Sequence, residues 1–191
     1  MKMRKLLTVA ISAVMAFSLF ALIGCGSSNP EQVIRQGLSE EFDSVKNLNE
    51  DTLEELVGNS LNQFQQYGID MKEFLRSYFE GFDYNIGDIT VDGDTAEAEV
   101  TMKIKSYSQF MEDYEADVNQ YVLDLQSNPS ALSSMTQEDL LAQLGPIMME
   151  TLKDVPVVET APVIIECTKK GNTWEVADSA EQAIQSAMLE S

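Results

Sequence analysis

The sequence predicts an α+β fold. The element order is N-terminal helices, a hairpin, a helical insert, a second hairpin and a C-terminal helix. Three observations predict it. Apolar residues recur at helical spacing in the segments near both ends and in the middle. From Thr95 to Lys105 apolar and polar residues alternate with period two, which implies one buried and one wet face. Asp92-Gly93 and Lys170-Gly171-Asn172 sit between β-like runs and signal hairpins.

The first helix starts at Pro30, with Asn29 as N-cap. Val33, Ile34, Leu38, Phe42 and Val45 form its apolar side, and Gly37 is a weak point. A second helix is expected over Asp51 to Tyr67, closed by Gly68. A third comes after Asp70 with Met71, Phe74, Leu75, Tyr78 and Phe79, and Gly81 ends it. The stretch from Phe82 to Val91 forms the first strand. In the second, Ala96, Ala98, Val100, Met102 and Ile104 face inward, while Lys103 and Lys105 fall on the wet side.

Helical spacing returns near Ser108 with Phe110, Met111, Tyr114, Val118, Tyr121, Val122 and Leu125. Ser127 to Ser130 break the run. Thr136 and Asp139 make a capping-box-like restart, and Pro146 is expected to kink or divide the helical run from Leu140 to Leu152. The run from Val155 to Lys169 holds two prolines, so an edge position or a broken strand is expected. Thr173 to Val176 forms a short strand, and Ser179 is expected to cap the closing helix.

The first residues carry a different signal. Lys2, Arg4 and Lys5 precede an uncharged apolar run from Leu6 to Ile23, the pattern of a secretory leader. Leu22-Ile23-Gly24-Cys25 resembles the bacterial lipobox. That resemblance implies diacylglycerol on the Cys25 thiol and a cut before Cys25. The expected organisation is a signal peptide over 1–24, a lipidated tether over 25–29, and one domain over 30–191 with its insert at about 108–152. The expected address is the cell membrane, facing outside the cytoplasm. Loss of the leader takes the 12 basic residues to 9 against 32 acidic ones, a formal charge near −23. Cys167 is then the sole unmodified thiol, and no intrachain disulfide forms.

Charge and composition exclude several classes. Nucleic acid binding needs clustered Lys and Arg, so nucleic acid is not a partner. Anionic lipid headgroups are repelled by the protein surface, so the membrane is reached through the anchor. A basic protein or peptide or a divalent metal is allowed by the charge. The chain has no histidine, which excludes Ser-His-Asp and Cys-His mechanisms. No cofactor is implied. Asp88, Asp92 and Asp94 surround a turn without calcium-loop spacing. The methionines are too scattered for a copper site, and no metal site is expected.

Two stretches, Val91 to Val100 and Val163 to Val176, resemble the paired hairpins of small bacterial lipoproteins of unknown function. Those lipoproteins belong to the nuclear transport factor 2-like group of cone-shaped α+β folds. The resemblance implies N-terminal helices packed on a curved antiparallel sheet of about four strands, and a concave pocket between sheet and helices, used by some members for catalysis, by some for a ligand, and often filled as core. The residues considered for lining it are Phe74, Tyr78, Phe82, Tyr84 and Trp174, with core packing as the more ordinary role of such aromatics. An isomerase-like site would need a carboxylate base and a Tyr or acid donor. Asp83, Tyr84 and Tyr107 are of those types, yet no spacing selects a pair.

No catalytic residue is assigned, and an enzyme is not expected. The expected function is a non-catalytic binding or interaction module of the envelope, with an unknown envelope protein or small ligand as partner. A small-molecule binder or isomerase-like enzyme is the alternative, and a structural envelope component the third reading.

Overall fold

The computed structural model describes residues 21–23, 29–48, 53, 64 and 67–191. The helix expected over Asp51 to Tyr67 lies outside the described residues except at Leu53, Phe64 and Tyr67. Leu53 and Phe64 are buried in the core.

The elements run β1 (Ala21–Ile23), α1 (Pro30–Lys46), α2 (Met71–Tyr78), β2 (Asp83–Asp92), β3 (Thr95–Lys105), α3 (Tyr107–Ser127), α4 (Pro129–Ser134), α5 (Gln137–Ala142), α6 (Leu144–Asp154), β4 (Val157–Glu159), β5 (Val163–Lys170), β6 (Thr173–Val176) and α7 (Ser179–Leu189). The strands form one six-stranded sheet in the order β1-β6-β5-β3-β2, with β4 also on β3, and every pairing is antiparallel. The fold class is therefore the one expected. Four strands match the predicted ones, and the short β1 and β4 are additions.

Local chemistry sets the boundaries. The Asn29 side chain accepts from the Glu31 amide and Pro30 opens α1. Asp70 accepts from the Lys72 and Glu73 amides at the start of α2. Gly93 at φ +61° and Gly171 at φ +65° make the two hairpin turns, a conformation that costs glycine little. Thr136 and Asp139 form the reciprocal capping box. The chain divides at Gln143, and Pro146 sits in the first turn of α6, where its missing N–H is harmless. Ser179 is not a cap. It opens α7 as a helical residue, and its hydroxyl donates to Glu166 at 3.3 Å.

The proline-bearing run is broken, as expected, and both pieces flank β3 on the same side. Thr160 fills the break. Its amide donates to the Met102 carbonyl at 2.8 Å and its hydroxyl accepts from the Met102 amide at 3.1 Å. The β3 ladder thus stays satisfied across the gap.

The core lies between one sheet face and the helices. Cross-strand register brings Ala96 opposite Cys167, Ala98 opposite Ile165 and Val100 opposite Val163, all buried. Phe74, Tyr78, Phe110 and Ile184 close this face from α2, α3 and α7. The opposite face carries Glu97, Glu99 and Glu166, so the alternation in β3 reports one dry and one wet side. The insert does not cap the fold from outside. Its base joins the core through Phe110, Met111, Tyr114, Met148 and Leu152.

Two positions depart from the alternation and spacing. Lys105, expected on the wet face, is 4% exposed. Its ammonium donates to the Leu152 carbonyl at 2.8 Å and lies 3.5 Å from Glu80. That carbonyl belongs to the last turn of α6, where helix carbonyls favour a cation. Val122 falls on the apolar stripe of α3 but is 43% exposed, while Tyr121 and Leu125 on either side of it are half-buried, so Val122 lies at the margin of the stripe.

Candidate functional site

The candidate lipidation site begins in β1. Ala21, Leu22 and Ile23 pair with Glu175, Trp174 and Thr173 on the outer edge of β6. Gly24, Cys25 and the tether residues 26–28 lie outside the described residues. Asn29 and Pro30 come next as the start of α1, so the lipobox is joined to the folded domain by only a few residues. Among the described residues no helix is long and apolar enough to cross a membrane.

A surface cleft of about 720 Å³ lies where the C-terminal ends of α1 and α2 meet α6. Val45, Leu48, Phe79, Phe82 and Met149 supply its apolar wall. Lys46, Glu73, Arg76, Glu80 and Lys153 supply charge. Lys46 pairs with Asp83 at 2.8 Å and Lys153 with Glu150 at 2.5 Å. The Asp83 bond raises the Lys46 pKa and lowers that of Asp83, so each holds the other in its charged form. Neither is poised to transfer a proton near neutral pH.

Of the five aromatics considered for a pocket, Phe82 lines this cleft. Phe74, Tyr78 and Trp174 are buried in the core. Phe74 stacks on Tyr78 with centroids 5.9 Å apart, and Tyr78 meets Phe79 edge-on at 5.4 Å. Tyr84 stacks on Phe42 at 5.0 Å, and its hydroxyl donates to Asp43 at 2.9 Å. Ring contacts through Phe110 tie α2 to α3, and the Phe42–Tyr84 pair ties α1 to β2.

Acid–base candidates do not converge. Asp83 and Tyr84 are neighbours on β2 and point to opposite faces. The Tyr78 hydroxyl is buried without a hydrogen-bond partner, and burial pushes its pKa well above the ordinary tyrosine value. Glu41 is the carboxyl that moves toward neutrality. Partial burial, reinforced by Glu40, raises it from 4.5 to about 7. Glu41 is not among the residues of the cleft. Cys167 is buried, and burial pushes its thiol up to about 11, which makes a poor nucleophile. Among the described residues no group of three carboxylates or thiols gathers as a metal site. Asp92 and Asp94 serve the turn through their carbonyls, which accept from Thr95 and Lys169.

Sequence reasoning missed the acidic arm. From Ser106 to Leu152 the chain has eight Asp or Glu residues and no Lys or Arg. The gap in basic residues was visible in the sequence. The structure adds that this segment is rooted in the core at both ends, through Tyr107–Tyr114 and through Met148 and Leu152, and is mostly exposed from Asn119 to Gln143.

No protein-family profile matches the chain, and no curated protein matches it. Among solved structures it is similar to a crystal structure from Bacillus subtilis subsp. subtilis str. 168 described as a "putative lipoprotein (ycdA)". The two share 16% identity with a TM-score of 0.47. The match covers 97% of this chain and 57% of the Bacillus chain, so this chain spans little more than half the length of that neighbour.

Proposed function

We propose that this chain is a lipid-anchored protein of the cell envelope that acts as a non-catalytic binding and interaction module. The observation that carries the reading is the leader: a basic start, an uncharged apolar run, and Leu22-Ile23-Gly24-Cys25 directly ahead of the tether and α1. Cys25 takes a diacylglycerol through its sulfur, and the chain is cut between Gly24 and Cys25. Two acyl chains, at about 0.8 kcal/mol per buried methylene, give a stable hold on the bilayer. The domain then faces outside the cytoplasm on the cell membrane. β1 departs with the leader, and the outer edge of β6 loses that partner.

The non-catalytic part rests on different support. Without histidine, acid–base work falls to carboxylates, tyrosines and lysines. The raised carboxyl, Glu41, stands outside the cleft, and Phe74, Tyr78 and Trp174 are buried as core. We read the bent sheet with helices on one face as similar to the nuclear transport factor 2-like cone, with its concavity used as core. The alternative of a small-molecule binder or isomerase-like enzyme has one observation in its favour. The cleft has a volume within the ordinary ligand-site range of about 300–1,000 Å³.

Cys25→Ser tests the anchor in cells fed labelled fatty acid. The variant is expected to lose the label and to be released or left unprocessed. Unchanged label, processing and membrane retention would contradict the reading.

A further inference from the structure

The acidic arm ends in exposed apolar side chains. Helix α3 is buried over Tyr107, Phe110, Met111 and Tyr114, which anchors its first two turns. Thirteen residues remain beyond Tyr114, about 20 Å of helix. Along that part Val118 still packs on the core and Tyr121 and Leu125 are half-buried, while Val122 and Leu123 are 43% and 55% exposed, and Leu132 on α4 is 40% exposed. These are three of the six large apolar side chains exposed among the described residues. Single exposed apolar residues are ordinary, but these three fall within eleven residues of one another, in the stretch of chain that holds no Lys or Arg.

The charge selects the partner. With no cation of its own between Ser106 and Leu152, the arm has a field that adds along its length. The Debye length is about 8–10 Å at physiological salt, so carboxylates one or two turns apart act together. Nucleic acid and anionic lipid are repelled. A second copy is repelled as well, since it carries the same arm and a net charge of −20. A zwitterionic bilayer offers apolar contact but nothing to match the charge.

We propose that the tip of the α3–α4 arm docks a basic amphipathic helix of a second protein. Apolar residues of that helix cover Val122, Leu123 and Leu132, and its Lys and Arg side chains face the carboxylates around them. This inference rests on the reading of the chain as an interaction module and names the chemistry of its partner.

The test uses the full chain, made by cell-free synthesis in zwitterionic nanodiscs, and a fluorescent 18-residue peptide of Lys and Leu with one leucine face. The wild type is expected to bind it saturably and more weakly as salt rises. V122S/L123S/L132S leaves the charge unchanged and is expected to weaken binding about tenfold, with thermal melting confirming the fold. D124K/E138K is expected to weaken binding and flatten the salt dependence. Ile164, 47% exposed on the wet sheet face, is the control, and Ile164→Ser is expected to change affinity less than about twofold. The proposal is overturned if the triple serine variant binds like wild type. It is equally overturned if a scrambled peptide binds as tightly, or if empty discs account for the signal. Photo-crosslinkers at positions 123 and 164 in intact cells separate this inference from the reading beneath it. Adducts at 164 alone defeat the docking site and leave the interaction module standing. Adducts at neither position count against the module itself.

Discussion

Gly145 lies near the start of α6 where the chain crosses the turn at Gly68. Its amide donates to the Tyr67 carbonyl at 2.8 Å. A Cβ at Gly145 would overlap the Gly68 carbonyl, and a Cβ at Gly68 would overlap the Ala142 carbonyl. Both obstacles are backbone, which cannot swing aside as a side chain can. Gly145→Ala therefore has to part the two segments. Loss of the Tyr67 bond costs about 1 kcal/mol, and overpacking of this kind costs about 1–3 kcal/mol. Alanine is the better helix former by up to about 1 kcal/mol, which opposes these terms. The net expectation is a loss of about 1–3 kcal/mol. Denaturant unfolding followed by the fluorescence of Trp174, the lone tryptophan and a buried one, measures it. Gly93→Ala is the comparison: Gly93 has φ +61° but nothing within 4 Å of its added Cβ, so it reports backbone strain without a crossing. If Gly145→Ala is as stable as the parent or more so, helix propensity governs the site and the crossing argument is wrong.

Thr160→Val keeps the shape of the side chain but leaves the Met102 amide without its acceptor. A loss of about 1–3 kcal/mol is expected, and an unchanged denaturation midpoint would show that the β4–β5 break does not depend on that hydroxyl. Tyr78→Phe removes a buried hydroxyl with no partner; a gain of about 1 kcal/mol is expected in thermal unfolding, and a clear loss would show that the hydroxyl is bonded. For Glu41 the folded-state pKa of about 7 lies above its ordinary 4.5. Its proton therefore stabilises the fold fully below about pH 4.5, and that contribution is lost as pH rises through about 7. Glu41→Gln should exceed the parent in stability at pH 8 by about 1 kcal/mol after allowance for solvent screening, with the difference vanishing toward pH 4.5. A gap independent of pH would remove Glu41 as the cause.

Much of the fold was legible because short-range chemistry dictated it. Asn29-Pro30, Asp70, Asp92-Gly93 and Thr136/Asp139 each carry their own capping or turn mechanism, and each sits where that mechanism requires. The alternation from Ala96 to Ile104 told the buried face because β3 is central and one side of the sheet is wet. Lys105 was misplaced because its burial depends on the end of α6, some 47 residues away in sequence. Val122 is exposed between the half-buried Tyr121 and Leu125, because periodicity reports the centre of a helix face and not how wide the covered part of it is. The five pocket candidates had no local signal that separates a lining ring from a core ring. Only tertiary packing, α2 against α3 and α6, assigns Phe74 and Tyr78 to the interior and Phe82 to the cleft. The acidic arm is the reverse case, since its charge was plain in the sequence and its exposure was not.

The central proposal is a lipid anchor at Cys25. Intact-mass analysis of the protein extracted from membranes tests it in one measurement. The predicted species begins at Cys25, lacks residues 1–24 and carries a diacylglyceryl group on the cysteine sulfur. A chain that begins at Met1, or one cut elsewhere with an unmodified Cys25, would contradict it.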